Sequence, residues 1–163
     1  MKGMTGCPVL SACKTSAVSL AFAREWFLDL EQHPDRYRFA SHAGFQFSDG
    51  GFGEVGAQFS TVERFLGVPI RLKFELTDVA TDHFRFRLIR PPFPVWGEFS
   101  LQEVATDHTA VVLSLGGARD LGRVFLRLPV VRKAITDQIQ REVLHVKESM
   151  ERARAEVPYA RND

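Results

Sequence analysis

The sequence predicts an α+β fold in which a strongly curved antiparallel sheet of about six to seven strands wraps around a long C-terminal helix. Between residues 44 and 115, segments that alternate apolar and polar residues follow one another through turn-like stretches, with no helical segment between them. Residues 127–156 are the one long stretch whose apolar residues recur at helical spacing. Successive hairpins exclude a doubly wound parallel sheet, because parallel strands need long crossover connections.

After a first strand, the N-terminal region predicts two short helices. In the segment FAREWFLDLEQHPDRYRF, Phe22, Trp26 and Leu30 follow one another at four-residue intervals, as on one face of a helix. Pro34 marks the end of that helix, since the residue before a proline disfavours the helical conformation. A second short helical turn, which contains Tyr37, follows it.

The strands that come next each have one apolar face. The clearest are IRLKFEL at 70–76 and FRFRL at 84–88, where arginine, lysine or glutamate occupies every second position. The segment PPFP at 91–94 ends the second run, because proline cannot donate to a strand ladder. VWGEFSL and TAVVLSL then supply two further strands.

The C-terminal helix has a single apolar stripe, which it must lay against the rest of the fold. Pro129 favours the first helical turn, and at about 1.5 Å per residue the helix is roughly 40 Å long, enough to cross the curved sheet. We therefore expect the helix to close the mouth of a half-barrel. The predicted stripe consists of Val131, Ile135, Ile139, Val143, Val146 and Met150.

The composition favours one domain, and a charged partner would have to be recognised by a local patch of charge. We predict a single domain over residues 1–156 and a flexible tail over 157–163 of the 163 residues. The formal net charge of +1 gives no global attraction to nucleic acid. No metal and no cofactor are expected, because Cys7 and Cys13 lack further cysteine or histidine partners nearby and are expected to be reduced thiols.

The N-terminal residues loosely resemble a signal peptide, because Lys2 precedes a small and apolar stretch that reaches AFA at 21–23. Lys14 interrupts that stretch, which then continues directly into the first amphipathic helix. The expected location is therefore the cytoplasm. No window approaches the ~18 uninterrupted apolar residues of a membrane span.

These features together resemble the START-like superfamily, also called SRPBCC, which has the helix-grip fold and includes polyketide cyclase/dehydrase-like and lipid-transfer proteins. The resemblance covers most of the chain and is carried by FAREWFLDLEQHPDRYRF, the strand series and the terminal helix. It implies a deep cavity between sheet and helix that holds hydrophobic small molecules such as lipids, polyketides or quinones. It supplies no universal catalytic residue.

The residues expected to bind such a ligand are inward apolar residues of the strands and the helix. They are Phe59, Leu72, Phe74, Leu76, Phe84, Phe86, Leu88, Phe99, Leu101, Leu113, Ile135, Ile139 and Val143. Tyr37 is a further candidate for the cavity wall by the same resemblance, with ordinary burial in the core as the alternative.

The sequence contains no G-x-S-x-G elbow, H-E-x-x-H pair, P-loop or dinucleotide fingerprint. Glu63 and Arg90 are the candidates for chemistry, because each continues the phase of an apolar face and could bind a carbonyl or carboxylate or act as an acid or base. Alternatively, each strand leaves the core there and the side chain reaches solvent. His42, His83 and His108 occupy turn-like contexts, where exposed histidines are expected.

A short basic amphipathic helix is predicted just before Pro129. Arg119, Arg123 and Arg127 are spaced by four residues, with apolar residues on the other side. The stretch 119–133 suits transient contact with an anionic membrane surface near the cavity mouth, although such a pattern is more often the solvated face of an ordinary helix.

Two functions lead at this point. The first is a non-catalytic carrier or sequestering protein for an apolar or aromatic small molecule, as a monomer or a homodimer. The second is a cofactor-free polyketide cyclase, aromatase or dehydratase that uses the same cavity, and a chaperone-like interaction protein is a third. An almost wholly apolar cavity favours the carrier, whereas several inward polar residues favour catalysis.

Overall fold

The computed structural model describes residues 10–39 and 42–157, and within them the chain forms seven strands and three α-helices. The strands are β1 (Leu10–Ser16), β2 (His42–Asp49), β3 (Gln58–Phe65), β4 (Val68–Val79), β5 (His83–Arg90), β6 (Val95–Ala105) and β7 (His108–Gly117). The helices are α1 (Leu20–Leu28), α2 (Asp120–Arg127) and α3 (Pro129–Glu156), and α1 is followed by two 3₁₀ helices, Asp29–Glu31 and Pro34–Tyr37. Cys7 and residues 158–163 of the predicted tail lie outside the described residues.

All of these strands belong to one antiparallel sheet with the order β1-β7-β6-β5-β4-β3-β2. Strand β1 pairs with β7, and every other pair joins strands that are consecutive in the chain. The sheet curls into a half-barrel closed by α3, which confirms the predicted α+β helix-grip architecture.

Local interactions fix the region between β1 and β2. The Ser19 hydroxyl accepts a hydrogen bond from the backbone N–H of Phe22 at 3.2 Å and so caps the start of α1. Trp26 and Phe27 are buried on the inner face of α1. The two predicted short helices are confirmed, although the second is a single 3₁₀ turn that ends at the buried Tyr37.

The space between the sheet and the helices is filled at one end. There, Phe27 of α1 and Phe52 of the glycine-rich β2–β3 connection pack against Phe84, with ring centroids 5.1 and 5.4 Å from it. The C-terminal half of α3 completes this core with Val146 and Met150, both fully buried. The N-terminal half of α3 faces a hollow instead.

The hairpin between β3 and β4 turns at Leu66 and Gly67, whose φ angles of 51° and 82° are both positive. A turn of this kind matches the right-handed twist of the two strands. Glycine adopts a positive φ freely, whereas a leucine there is uncommon. Leu66 is also 63% exposed, so the turn holds an apolar side chain in solvent at the rim of the sheet.

Candidate functional site: a cavity between the sheet and the long helix

The hollow end of the half-barrel is a cavity of about 1350 Å³. Its walls are mostly aromatic and aliphatic side chains from β2 to β7, from α2 and from residues 129–148 of α3. The predicted ligand-binding residues that lie in its wall are Phe59, Leu72, Phe74, Phe86, Leu88, Phe99, Leu113, Ile135 and Ile139.

The other four predicted ligand-binding residues, Leu76, Phe84, Leu101 and Val143, do not line the cavity. They point inward as expected, but they are buried in the filled end of the half-barrel. Alternation along a strand indicates which side chains point inward. It does not indicate whether another side chain, such as Phe52, already occupies the space opposite.

One part of the cavity wall is polar. We call it the polar cluster, and its members are Tyr37, His42, Thr61, Glu63, Gln138 and Glu142. The Tyr37 hydroxyl donates a hydrogen bond to Glu142 Oε1. Glu63 Oε1 accepts a hydrogen bond from the Thr61 hydroxyl at 3.0 Å and lies 3.4 Å from His42 Nε2.

His42 corrects a prediction, because this histidine is only 1% exposed and does not occupy an exposed turn. It is the first residue of β2 and lies opposite Glu63 in the sheet. A β-bulge between His42 and Gly44 shifts the alternation, so His42 and Phe45 both face inward although they are three residues apart. Without the bulge, the phase of Phe45 and Phe47 would point His42 away from the cavity.

Gln138 and Glu142 are members of the cluster that the sequence reasoning missed. They lie four residues apart on α3, and His145 and Ser149 continue the same face. His145 Nε2 and the Ser149 hydroxyl both donate to the Arg36 carbonyl oxygen at 3.0 Å. This polar stripe beside the apolar one is the signal that could have identified them, but a solvent-exposed helix face has the same pattern.

The environment of Glu142 keeps its carboxyl group protonated to unusually high pH. Burial is the main cause and raises the pKa of Glu142 to about 7, with the nearby Glu63 charge acting in the same direction. The charge of His42 and the hydrogen bond from Tyr37 lower that pKa but do not offset burial. Burial and the adjacent Glu142 also raise the pKa of the Tyr37 hydroxyl well above its ordinary value.

The His42 imidazole is held toward its protonated form. Burial by itself would lower the pKa of His42, but the hydrogen bond to Glu63 and the charges of Glu142 and Glu63 outweigh it and raise the pKa. The polar cluster therefore contains a half-buried carboxylic acid, whose pKa is raised to about 7, beside a histidine paired with a second carboxylate. Within the described residues, no group of three or more His, Cys, Asp or Glu side chains is placed to hold a metal ion.

The two candidates for chemistry are placed differently. Glu63 lies in the cavity wall within the polar cluster. Arg90 is exposed at the end of β5, where it lies opposite Lys73 of β4, and it is not part of the cavity wall. Its position agrees with the alternative interpretation, in which the strand leaves the core and the side chain reaches solvent. Of the remaining histidines, His83 is partly buried between Asp78 and Asp82, whereas His108 is exposed as expected.

The cavity opens beside α2 and the start of α3. Leu66 and Val130 belong to the cavity wall and are also 63% and 64% exposed, which places them at the mouth. The apolar residues Leu121, Val124 and Leu128 of the predicted basic amphipathic segment are 62%, 56% and 49% exposed. Helix α2 buries Gly122 and Leu126 instead. No helix within residues 10–39 and 42–157 is long and apolar enough to cross a membrane.

No family model and no curated protein matches the chain. Solved structures do resemble it. Zhui aromatase/cyclase from Streptomyces sp. R1128 aligns with a TM-score of 0.69 at 13% identity, over 88% of this chain and 93% of that one. A START superfamily protein from Mycobacterium smegmatis aligns with a TM-score of 0.59 at 16% identity, over 88% and 94% of the two chains.

A plant protein has the same architecture. Ginseng major latex-like protein 151 from Panax ginseng aligns with a TM-score of 0.61 at 14% identity, over 88% of this chain and 95% of its own. Sequence identities this low show a common fold. They do not show that this chain shares the ligands or activities of those proteins. The chain therefore has the START-like helix-grip fold.

Proposed function

We propose that the protein binds an apolar or aromatic small molecule, such as a lipid, a polyketide or a quinone, in the cavity and acts as a carrier or sequestering protein. The observation that carries this proposal is the cavity itself. Protein interiors leave few voids larger than a water molecule, whereas the roughly 1350 Å³ here exceeds the ~300–1,000 Å³ of typical ligand pockets. Folding around a hollow of this size forgoes packing energy, and a bound apolar molecule would restore those contacts.

A titration with an uncharged apolar fluorophore, N-phenyl-1-naphthylamine, tests this proposal. We expect saturable binding with a negative heat capacity change, because apolar surface is removed from water on both sides.

A second candidate function, cofactor-free chemistry on a polyketide-like ketone, is favoured by the polar cluster. Tyr37, His42 and Glu142 are groups able to donate or accept a proton, and they face the interior of an otherwise apolar cavity. The pKa of Glu142 near 7 suits a general acid or base at neutral pH. A base placed against a bound ketone can remove a proton from the carbon next to the carbonyl, while an acid donates a proton to the carbonyl oxygen to give the enol.

Hydrogen–deuterium exchange of 2-tetralone, an uncharged aromatic ketone, distinguishes the two functions. The carrier function predicts that the ketone binds while its exchange rate stays at the rate in protein-free buffer, and this is the result we expect. Catalysis predicts acceleration that falls at least about tenfold in both Tyr37→Phe and Glu142→Gln, since positioned acids and bases contribute ~10²–10⁴-fold. NMR spectroscopy measures the exchange directly.

We also propose that the mouth of the cavity docks transiently on an anionic membrane surface. The stretch 119–133 carries five basic side chains and one acidic one in a chain whose net charge is +1. Leu121, Val124, Leu128 and Val130 are exposed among those charges. Apolar side chains flanked by arginines suit the headgroup region of an anionic bilayer. A carrier that docked by its mouth would exchange its ligand without exposing it to water.

Vesicle co-sedimentation measures this contact. We expect binding to vesicles that contain phosphatidylglycerol and much weaker binding to pure phosphatidylcholine. Arg127→Glu combined with Arg132→Glu should weaken the binding at least about tenfold, since each basic residue near the surface contributes ~1 kcal/mol. Arg152→Glu is the matched control, because this exposed arginine lies about 30 Å along α3 from Arg132. Equal loss in the control would contradict a specific docking face.

The cytoplasm is the location we propose for this carrier. Cys13 is exposed and has a free thiol, which a reducing compartment would preserve. A monomer and a homodimer both fit the proposed function.

A further inference from the structure

We propose that the cavity selects uncharged aromatic ligands that carry a hydroxyl or carbonyl group, which Tyr37, Gln138 and Glu142 hold, and that the polar cluster rejects anionic groups. This inference rests on the proposed binding function and specifies its ligand class.

The first observation is an unpartnered donor in the cavity wall. Gln138 Nε2 is buried and has no hydrogen-bond partner among the described residues, although Gln138 lines the cavity. Gln138 and Glu142 lie on the same face of α3, one turn apart. Leaving a buried amide N–H without an acceptor is unfavourable, and a change of side-chain rotamer would bring this N–H to a ligand oxygen beside Glu142.

The second observation is the distribution of charge around the same place. The groups that face Glu142 from other elements are Tyr37, His42 and Glu63, and the only cation among them, His42, already lies against Glu63. An anionic ligand there would bring a further negative charge beside two carboxyl groups, away from bulk water. A neutral hydroxyl can instead donate to a carboxylate and accept from Gln138, and a carbonyl can accept from Gln138 and from a protonated Glu142.

Cations do occur in the cavity wall, but elsewhere. The charged or titratable residues of α3 in the wall, apart from Glu142, are Lys133, Asp137, Arg141, His145 and Glu148. Lys133 and Arg141 are exposed, and both bond to Asp137, through its carboxylate and its carbonyl oxygen respectively. Arg64 of β3 is exposed as well. An anionic ligand group is therefore more favourable beside the exposed cations at the solvent side of the cavity. A neutral ligand group is more favourable in the interior, beside the polar cluster.

The third observation is the aromatic wall around the cluster. Tyr37 contacts Phe45 and Phe99 with ring centroids 4.9 and 6.2 Å apart. Phe59, Phe74 and Phe86 contact one another at 5.2 to 5.6 Å in the adjoining wall. Rings at these distances present edges and faces to a planar aromatic guest.

The test compares three naphthalenes that differ in one substituent: 2-naphthol, 2-naphthoate and 2-methylnaphthalene. Neither ionisable probe changes its charge between about pH 6 and about pH 8, because phenols titrate near ~10 and carboxylic acids near ~4. At pH 8 we expect 2-naphthol to bind at least about tenfold more tightly than 2-naphthoate. The difference should narrow at pH 6, where Glu142 is mostly protonated.

Two variants test which side chains cause the differences in affinity. Glu142→Gln should narrow the difference in affinity between 2-naphthol and 2-naphthoate at pH 8 and remove the dependence of that difference on pH. Gln138→Leu should reduce the advantage of 2-naphthol over 2-methylnaphthalene. Glu148→Gln is the matched control, because Glu148 is an exposed glutamate of the same helix that also lines the cavity, and it should change neither difference.

The outcomes separate the inference from the proposed function. Equal binding of 2-naphthol and 2-naphthoate at pH 8 overturns the inference, and so does an unchanged difference in Glu142→Gln. If 2-methylnaphthalene binds as tightly as 2-naphthol, the binding cavity stands and the role of the polar cluster is wrong. If none of the three binds, the proposed function fails and the inference fails with it.

Discussion

Ile139→Trp is expected to abolish the binding of N-phenyl-1-naphthylamine while the protein keeps most of its stability. Ile139 is 1% exposed and lies in the cavity wall on α3, so a larger side chain can extend into the hollow. The added ring would occupy the volume that the fluorophore needs, and we expect the affinity to fall at least about tenfold. Fluorescence titration and urea denaturation of the same preparation measure the two effects.

Val143→Trp is the matched control for this prediction. Val143 lies one turn further along α3 and is fully buried, but it does not line the cavity. A tryptophan there must overpack a filled core, at a cost of about 1–3 kcal/mol or more. If Ile139→Trp were as destabilising as Val143→Trp and still bound the fluorophore, the hollow would not be the binding site.

Glu142→Gln is expected to stabilise the protein by about 2 kcal/mol at pH 8 and to change its stability little near pH 4. Burial raises the pKa of Glu142 in the folded protein to about 7, whereas the unfolded chain has the ordinary value of 4.5. Below the unfolded value both states are protonated, and the carboxyl group causes no penalty. As the pH rises from about 4.5 to about 7, the folded state becomes less stable relative to the unfolded one, because only the unfolded chain ionises freely.

A glutamine resembles the protonated acid in shape and can still accept the hydrogen bond from Tyr37, so it removes the pH-dependent penalty. Urea denaturation of the wild type and the variant at both pH values gives the difference in the free energy of unfolding. Glu148→Gln, an exposed neighbour on the same helix, should show no such pH dependence. A stabilisation by Glu142→Gln that is equal at pH 4 and pH 8 would show that ionisation of this group is not its cause.

The same titration bears on function. A carboxylic acid that ionises near neutral pH inside a ligand cavity destabilises the folded protein, whereas an apolar side chain in the same place would not. Stability lost at a buried group in a site is often associated with binding or chemistry there. We therefore propose that ligand recognition, and any reaction, takes place at the polar cluster.

The sequence by itself determined the architecture, because the two periods that specify it are local. Strict alternation at Ile70, Leu72, Phe74 and Leu76 requires a strand with one buried face, and the stripe from Ile135 to Met150 requires a helix with one buried side. A sheet with one apolar face and a helix with one apolar stripe must cover each other. The resemblance of the first helical segment and the strand series to the START-like superfamily indicated the same fold.

The tertiary structure alone decided which inward residues border empty space. Phe84 and Phe86 have the same phase on β5, yet Phe84 packs under Phe27 and Phe52, whereas Phe86 faces the cavity. Phe52 comes from a glycine-rich connection that has no periodicity, so no pattern in the sequence places it there. Whether an inward side chain lies at the filled end or at the hollow end of the half-barrel depends on the elements that pack against it, and these are distant in the sequence.

The way the members of the polar cluster come together was also beyond the sequence, for three separate physical reasons. A bulge in β2 turns His42 inward against the alternation of its own strand. Gln138 and Glu142 lie on a helix face that is polar, and such a face indicates solvent unless a neighbouring element covers it. Tyr37 meets Glu142 across 105 positions of the chain, a contact set by the way the 3₁₀ turns pack on α3. Glu63 was identified from its phase because the alternation of β3 continues unbroken through Phe59 and Thr61. Arg90 continues the inward phase of β5 in the same way, but it lies where that strand has already left the core.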